Sequence, residues 1–150
     1  MNDGKEPTAT DEAELLKILT RFYRFLDVND ISSLCAFMHD ELLWRRQGRE
    51  LRSRADITTA LADRDPRLHI FHLLTSVTFA ARPEGRIAYS GYLTVVRSFA
   101  DEDQSTRMPP RGAQSLHVCE GEFRRSEGDW RICAMDAGPP RLFLDMPGGS

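Results

Sequence analysis

His69-Ile70-Phe71-His72-Leu73-Leu74-Thr75-Ser76-Val77-Thr78-Phe79 is the stretch where the chain changes its hydrophobic period. It is rich in Ile, Phe, Val and Thr, side chains that favour a pleated, half-buried surface, and it reads as a long strand. Strand alternation puts His72, Leu74 and Ser76 on one side and Phe71, Leu73 and Thr75 on the other. Upstream the period is helical. Leu15, Leu16, Leu19, Phe22, Tyr23 and Leu26 form one stripe over Glu12 to Leu26, and Thr10 or Asp11 can cap its start. Val28, Asn29 and Asp30 interrupt this helix, and Ser32 to His39 brings Leu34, Phe37 and Met38 onto one side of a second, shorter one. Leu42, Leu43 and Trp44 read as a short strand running into a turn at Arg45 to Gly48. Ser53 followed by Asp56 resembles a capping box for a third helix, whose apolar positions are Ala55, Ile57, Ala60 and Leu61 and which Asp65-Pro66 ends.

Downstream of the opening stretch the pattern is all strand. Pro83 to Gly85 turns the chain into Arg86 to Phe99, making a hairpin with the first long strand. Asp101 to Gly112, with its acidic run and Pro109-Pro110, reads as an excursion. Gln114 to Arg125 and Trp130 to Met135 are two further strands, joined by a turn at Glu127 to Asp129. Gly138, Pro139 and Pro140 break the last strand, and a tail with Leu142, Phe143 and Leu144 either docks or frays. Helices first and strands afterwards describe an α+β domain, with helices covering one face of a mostly antiparallel sheet. We divide the chain into a leader at 1–10, a domain at 11–136 and a tail at 137–150.

The 150 residues suit one domain with its own core. Lys and Arg total 20 against 23 Asp and Glu, a net charge of −3, so there is no basic field to drive nucleic-acid binding. No apolar run suits a membrane helix, and the N-terminal segment lacks the apolar centre of a signal peptide. The expectation is a soluble, cytoplasmic protein with no nucleic-acid or membrane partner. Cys35, Cys119 and Cys133 are odd in number and widely spaced, which fits neither a disulfide framework nor a metal-binding pair; they read as reduced, small apolar residues.

Four histidines, His39, His69, His72 and His117, are the groups able to exchange protons near neutral pH. Tyr23 and Asp27 lie four residues apart, so on a continuous helix they share a side. Asp27 then either caps the next helical turn or faces inward, and Asp30 or Ser32 can take the capping role instead. His72 on its strand is either a satisfied structural residue or a base; a carboxylate within reach would fix its tautomer and raise its basicity. His117 shares a side with Cys119 and Gly121, and no metal constellation emerges there. His39 can serve the C-terminal carbonyls of the second helix, and His69 faces away from His72. The basic run Arg45, Arg46, Arg49, Arg52 and Arg54 reads as a solvated turn rather than an anion site, given Glu50 and Asp56 beside it.

Ile18 through Asp30, with Leu34, Phe37, Asp40 and Trp44, resembles the opening helices of SnoaL-like proteins of the nuclear transport factor 2-like superfamily. His72 to Val77 resembles that family's first long strand; Tyr92 to Arg97, Gly121 to Arg125 and Gly128 to Ile132 resemble its remaining strands. The resemblance spans roughly Asp11 to Met135. It implies a cone: a strongly curved sheet wrapped around about three helices, with a pocket between them, and a homodimer joined through the outer face of the sheet. Dehydratase-type members pair an Asp at the end of the first helix with a His on the first long strand, and those positions fall on Asp27 and His72. Two positions depart from the dehydratase pattern: Leu26 stands where it has a tyrosine, and Ser76 where it has an Asn.

On this resemblance, Asp27 orients His72 for proton transfer to or from an uncharged, cyclic or polyketide-like substrate, without metal or cofactor. Lyase, isomerase and cyclase chemistry all fit such a shuttle. Tyr23, Trp44, Ser76 and Tyr92 are the expected substrate contacts. Tyr89 and Tyr92 point to opposite sides of their strand; Tyr92, with Ser90 and Thr94, is placed toward the pocket. Each tyrosine can alternatively be core, and Trp44 either walls the pocket or packs in the core. The other functional reading is a ligand-binding or accessory module of the same fold that catalyses nothing.

Overall fold

The computed structural model describes residues 4–99 and 112–145. Helix α1 (Ala9–Asp27) starts inside the stretch read as leader, because its cap is Thr8. The Thr8 hydroxyl accepts the Asp11 backbone N–H at 3.1 Å, and the Asp11 carboxylate accepts the Thr8 N–H at 3.0 Å. This reciprocal box satisfies two N–H groups that the helix leaves unpaired. The apolar stripe buries Leu15, Leu19 and Phe22 completely.

The other end of α1 decides where Asp27 sits. Asn29 adopts a left-handed φ of 58°, and the Asn29 and Asp30 N–H groups turn back to the carbonyls of Leu26 and Phe25 at 3.2 and 2.9 Å. That pairing is a Schellman stop. Arg64 supplies the remaining partners: its guanidinium donates to the carbonyl oxygens of Leu26 and Asp27 at 2.6 and 2.9 Å. Asp30 caps helix α2 (Ile31–Cys35), accepting the Ser33 N–H at 3.2 Å. The carboxylate of Asp27 is therefore released from any capping duty.

Helix α2 is shorter than its apolar spacing suggests, and strand β1 (Met38–Arg46) begins where the helix was expected to continue. The reason is tertiary. The Ile132 N–H donates to the Phe37 carbonyl at 2.8 Å, and Met38 pairs with Ile132 in a parallel ladder. His39 consequently lies in a strand, not at a helix end, and its Nδ1 accepts the Glu41 N–H at 3.0 Å. Strand β2 (Arg49–Leu51) closes a hairpin on β1, and Ser53 caps helix α3 (Arg54–Ala62) by accepting the Asp56 N–H at 3.1 Å.

Strands β3 (Leu68–Ala81), β4 (Ile87–Phe99), β5 (Gly112–Ser126) and β6 (Asp129–Asp136) follow, and β7 (Pro140–Asp145) pairs antiparallel with the first part of β5. The described part of the tail thus docks, setting Leu142 opposite Leu116. Sheet order is β2-β1-β6-β5-β4-β3, antiparallel throughout except for β1 and β6. The result is an α+β cone with a curved, open sheet around three helices. Asp101 to Arg111, nearly all of the expected excursion, lies outside the described residues. Phe22, Leu34, Ile57, Phe123 and Ile132 are fully buried between helices and sheet. Gly121 belongs to this packing: the Tyr89 ring, on its cross-strand partner, occupies the space a Cβ would need.

Candidate active site

Asp27 is the last residue of α1 and His72 lies on β3, a strand paired only with β4 among the described residues. The imidazole Nδ1 is 2.6 Å from Asp27 Oδ1. The His72 backbone N–H donates to the same carboxylate, 3.2 Å from Oδ1 and 3.3 Å from Oδ2. One carboxylate therefore satisfies an edge-strand amide and fixes a ring together. An ionised carboxylate only accepts, so Nδ1 donates, and in the neutral imidazole it is Nε2 that carries the lone pair. The side chains of His72 and Asp27 are 8% and 10% exposed. Nε2 has no protein partner among the described residues, and His72 lines a cavity of about 780 Å³.

Tyr23, one helical turn before Asp27, stacks on the His72 ring with centroids 5.4 Å apart and 27° between planes. It also lines the cavity. Burial raises its hydroxyl pKa well above the ordinary tyrosine value, with the Cys119 thiol adding to the shift, so the group stays a neutral donor. Trp44 does both things foreseen for it: it walls the cavity and packs edge-on against Phe22, centroids 5.4 Å apart.

Two expected contacts are elsewhere. Tyr92 is half exposed on the outer face of the sheet, while Tyr89 faces inward. Alternation on β4 runs through Tyr89, Leu93 and Val95 inward, and Tyr92, three positions from Tyr89, falls on the other side. Ser76 is exposed and sits at a β-bulge, with a left-handed φ of 53° and a register break between Thr75 and Thr78. The bulge interrupts the alternation that would have carried Ser76 inward with His72 and Leu74.

The cavity also collects residues that the sequence placed in no site, Arg46 among them, which it read as part of a solvated turn. His72 pairs across the sheet with Val95, and Val95 with Ser115. Ser115 Oγ and His117 Nε2 are 2.9 Å apart, and His117 Nδ1 is 3.1 Å from the Gly138 carbonyl. The carbonyl can only accept, so Nδ1 donates, and in the neutral ring Nε2 accepts the Ser115 hydroxyl proton. Ser115, His117, Arg46 and Arg97 all line the cavity with His72. Alternation alone puts Ser115 and His117 on one face of β5; only the β3-β4-β5 register brings that face to His72. Among the described residues no three His, Cys, Asp or Glu side chains gather as a metal site, and no helix is long and apolar enough to cross a membrane.

Fold and site together define an α+β cone enclosing a pocket with a carboxylate-oriented histidine on its wall. The SnoaL-like domain family matches residues 7–136, and the chain belongs to that family. A search among curated proteins finds no match. Solved structures similar to it include the hexachlorocyclohexane dehydrochlorinase LinA-type3 from Novosphingobium barchaimii, 13% identical over 93% of this chain and 92% of that one, TM-score 0.76. A putative scytalone dehydratase from Novosphingobium aromaticivorans is 10% identical over 94% and 91%, TM-score 0.73. ActVI-ORFA from Streptomyces coelicolor is 20% identical over 83% and 92%, TM-score 0.63. At these identities the likeness is one of fold.

Proposed function

We propose that the protein is a cofactor-free enzyme that moves a proton on a hydrophobic, cyclic or polyketide-like substrate, with His72 as general acid/base and Asp27 as its orienting partner. The observation that carries the reading is the 2.6 Å contact between Asp27 and His72 Nδ1 at the wall of a cavity of about 780 Å³. That volume lies within the usual range for small-molecule sites, roughly 300–1,000 Å³. Nε2 takes a proton from carbon or oxygen of the substrate, and Asp27 stabilises the imidazolium that results. Positioned acid/base groups of this kind contribute about 10²- to 10⁴-fold in rate. The Tyr23 hydroxyl, kept neutral by burial, donates to the oxyanion that develops when a proton leaves the carbon next to a carbonyl. Elimination beside a carbonyl, migration of a conjugated double bond and aldol-type ring closure each begin with this step, whereas elimination from a ring without a carbonyl uses His72 alone as the base. The names of the dehydrochlorinase and the scytalone dehydratase of like fold favour elimination among them.

Solvent exchange reads the step directly, without the natural substrate. A panel of cyclic ketones, tetralones and hydroxylated naphthalenones among them, is incubated with the protein in D₂O, and deuterium uptake beside the carbonyl is followed by NMR. Wild type accelerates exchange on at least one member and His72→Ala abolishes the acceleration while remaining folded. Full exchange in His72→Ala overturns the assignment. Ligands that bind without exchange in either protein turn the reading to a carrier.

A further inference from the structure

Arg46 ends β1 beside the cavity, half-buried, with its guanidinium carbon 5.6 Å from the Trp44 ring centroid. Among the described residues it makes no ion pair and no hydrogen bond. Its neighbours in the basic run behave as the sequence suggested: exposed Arg45 and Arg52 pair with Glu50 at 3.4 and 2.7 Å. Arg46 is the exception, because Trp44 and Arg46 share the inward face of β1. Burial lowers its pKa, and the charges of Arg97 and Arg64 lower it further. Among the described residues no carboxylate offsets that pressure. A guanidinium does not deprotonate in a protein, so two cations, Arg46 and Arg97, face one cavity at an electrostatic cost that a bound anion would relieve.

The ladder register places these charges relative to the proposed base. His72 pairs with Val95 and Ile70 with Arg97, so Arg97 is the diagonal cross-strand neighbour of His72. Such neighbours stand roughly 7–8 Å apart, about the span of a fused ring. Of the described carboxylates at the cavity wall, Glu50 is paired with its two arginines, and Asp136 accepts the Gly138 N–H at 2.7 Å and forms no ion pair with Arg46 or Arg97.

We propose that Arg46, with Arg97, is an anion subsite of the cavity, and that it holds a carboxylate on the ring system whose reacting carbon then meets His72. This rests on the cavity being the substrate site, and it replaces the uncharged substrate expected from the sequence with an aromatic or alicyclic acid. The planar, two-pronged guanidinium matches a carboxylate. Trp44, buried beneath the guanidinium, helps hold it in place at the cavity wall.

The test compares 2-naphthoate with 2-naphthamide, the same ring with and without the charge, by calorimetry and by ligand-detected NMR. Wild type prefers the acid by roughly 10- to 100-fold, the range of one charged hydrogen-bonded contact. Arg46→Gln collapses that preference by weakening the acid far more than the amide; Arg46→Lys retains part of it, and Arg97→Gln weakens it. Raising the salt concentration on unmodified protein must also erode the preference, a readout that needs no variant to fold. Acid and amide alike in wild type, including neither binding, overturns the proposal, as does equal loss of both in Arg46→Gln. The exchange experiment fails separately: acid preference without exchange keeps the subsite and removes catalysis, whereas His72-dependent exchange without acid preference removes only the subsite.

Discussion

Replacing Asp27 with alanine removes the acceptor of two donors that belong to one residue. The His72 backbone N–H lies 3.2 and 3.3 Å from the two carboxylate oxygens, and the ring Nδ1 2.6 Å from one of them. An orphaned buried donor costs about 1–3 kcal/mol. The ring escapes by shifting its proton to Nε2, which leaves the backbone N–H to bear the loss. Asp27→Ala is therefore expected to cost about 1–3 kcal/mol, a fall in Tm of roughly 2–4 °C per kcal/mol for a domain of this size. Asp27→Asn keeps an acceptor oxygen and is expected to lose less than ~1.5 kcal/mol, the net worth of an ordinary hydrogen bond. Urea denaturation measures the stabilities. Long-range ¹H–¹⁵N correlation on the imidazole reads the tautomer, with Nδ1–H in wild type and Nε2–H in Asp27→Ala. A loss below ~0.5 kcal/mol, within the range of an inert surface change, together with an unchanged tautomer, would refute the bidentate role.

Three further outcomes follow from the packing. Burial raises the hydroxyl pKa values of Tyr23 and Tyr89, so above the ordinary tyrosine pKa of ~10 the folded state keeps protons that the unfolded chain has released. Stability is full below that pH and falls as pH rises past it, by up to ~1.4 kcal/mol per pH unit for each hydroxyl; Tyr23→Phe should flatten the alkaline limb of a urea titration, and identical limbs would contradict this. A Cβ on Gly121 would stand 2.5 Å from Tyr89 Cε1 and meet the Ala134 carbonyl, so Gly121→Ala should cost about 1–3 kcal/mol by overpacking; an unchanged melting temperature would count against the tight fit. Phe71, Leu73 and Tyr92 are about half exposed on the outer face of the sheet, with Leu142 half exposed on β7. We expect a homodimer joined there, dissociated by Leu73→Asp in light scattering, and a monomeric wild type at micromolar concentration would reject it.

The α+β class was legible because local signals agreed with one another. The stripe from Leu15 to Leu26, the Ser53 cap, the change of period at His69 and the turn at Glu127 to Asp129 each depend on neighbours within a few residues, which a sequence displays directly. Where a distant segment competed, local spacing lost. Phe37 and Met38 hold helical spacing but join β6 through the bond to Ile132. The side chosen for Tyr92 failed because nothing local marks which face of a long strand is the inner one, and Ser76 left the inner face at a bulge of one residue.

By itself, then, the sequence determined an acid at the end of a helix, a histidine on a strand, and the order of elements between them. Only tertiary structure decided that the two meet at 2.6 Å, that Ser115, His117, Arg46 and Arg97 share their cavity, and that Tyr92 does not. Helix periodicity and capping are carried by contacts within a turn, whereas a pocket is assembled by strand register and sheet curvature, which join residues such as Asp27 and His72 that lie 45 positions apart.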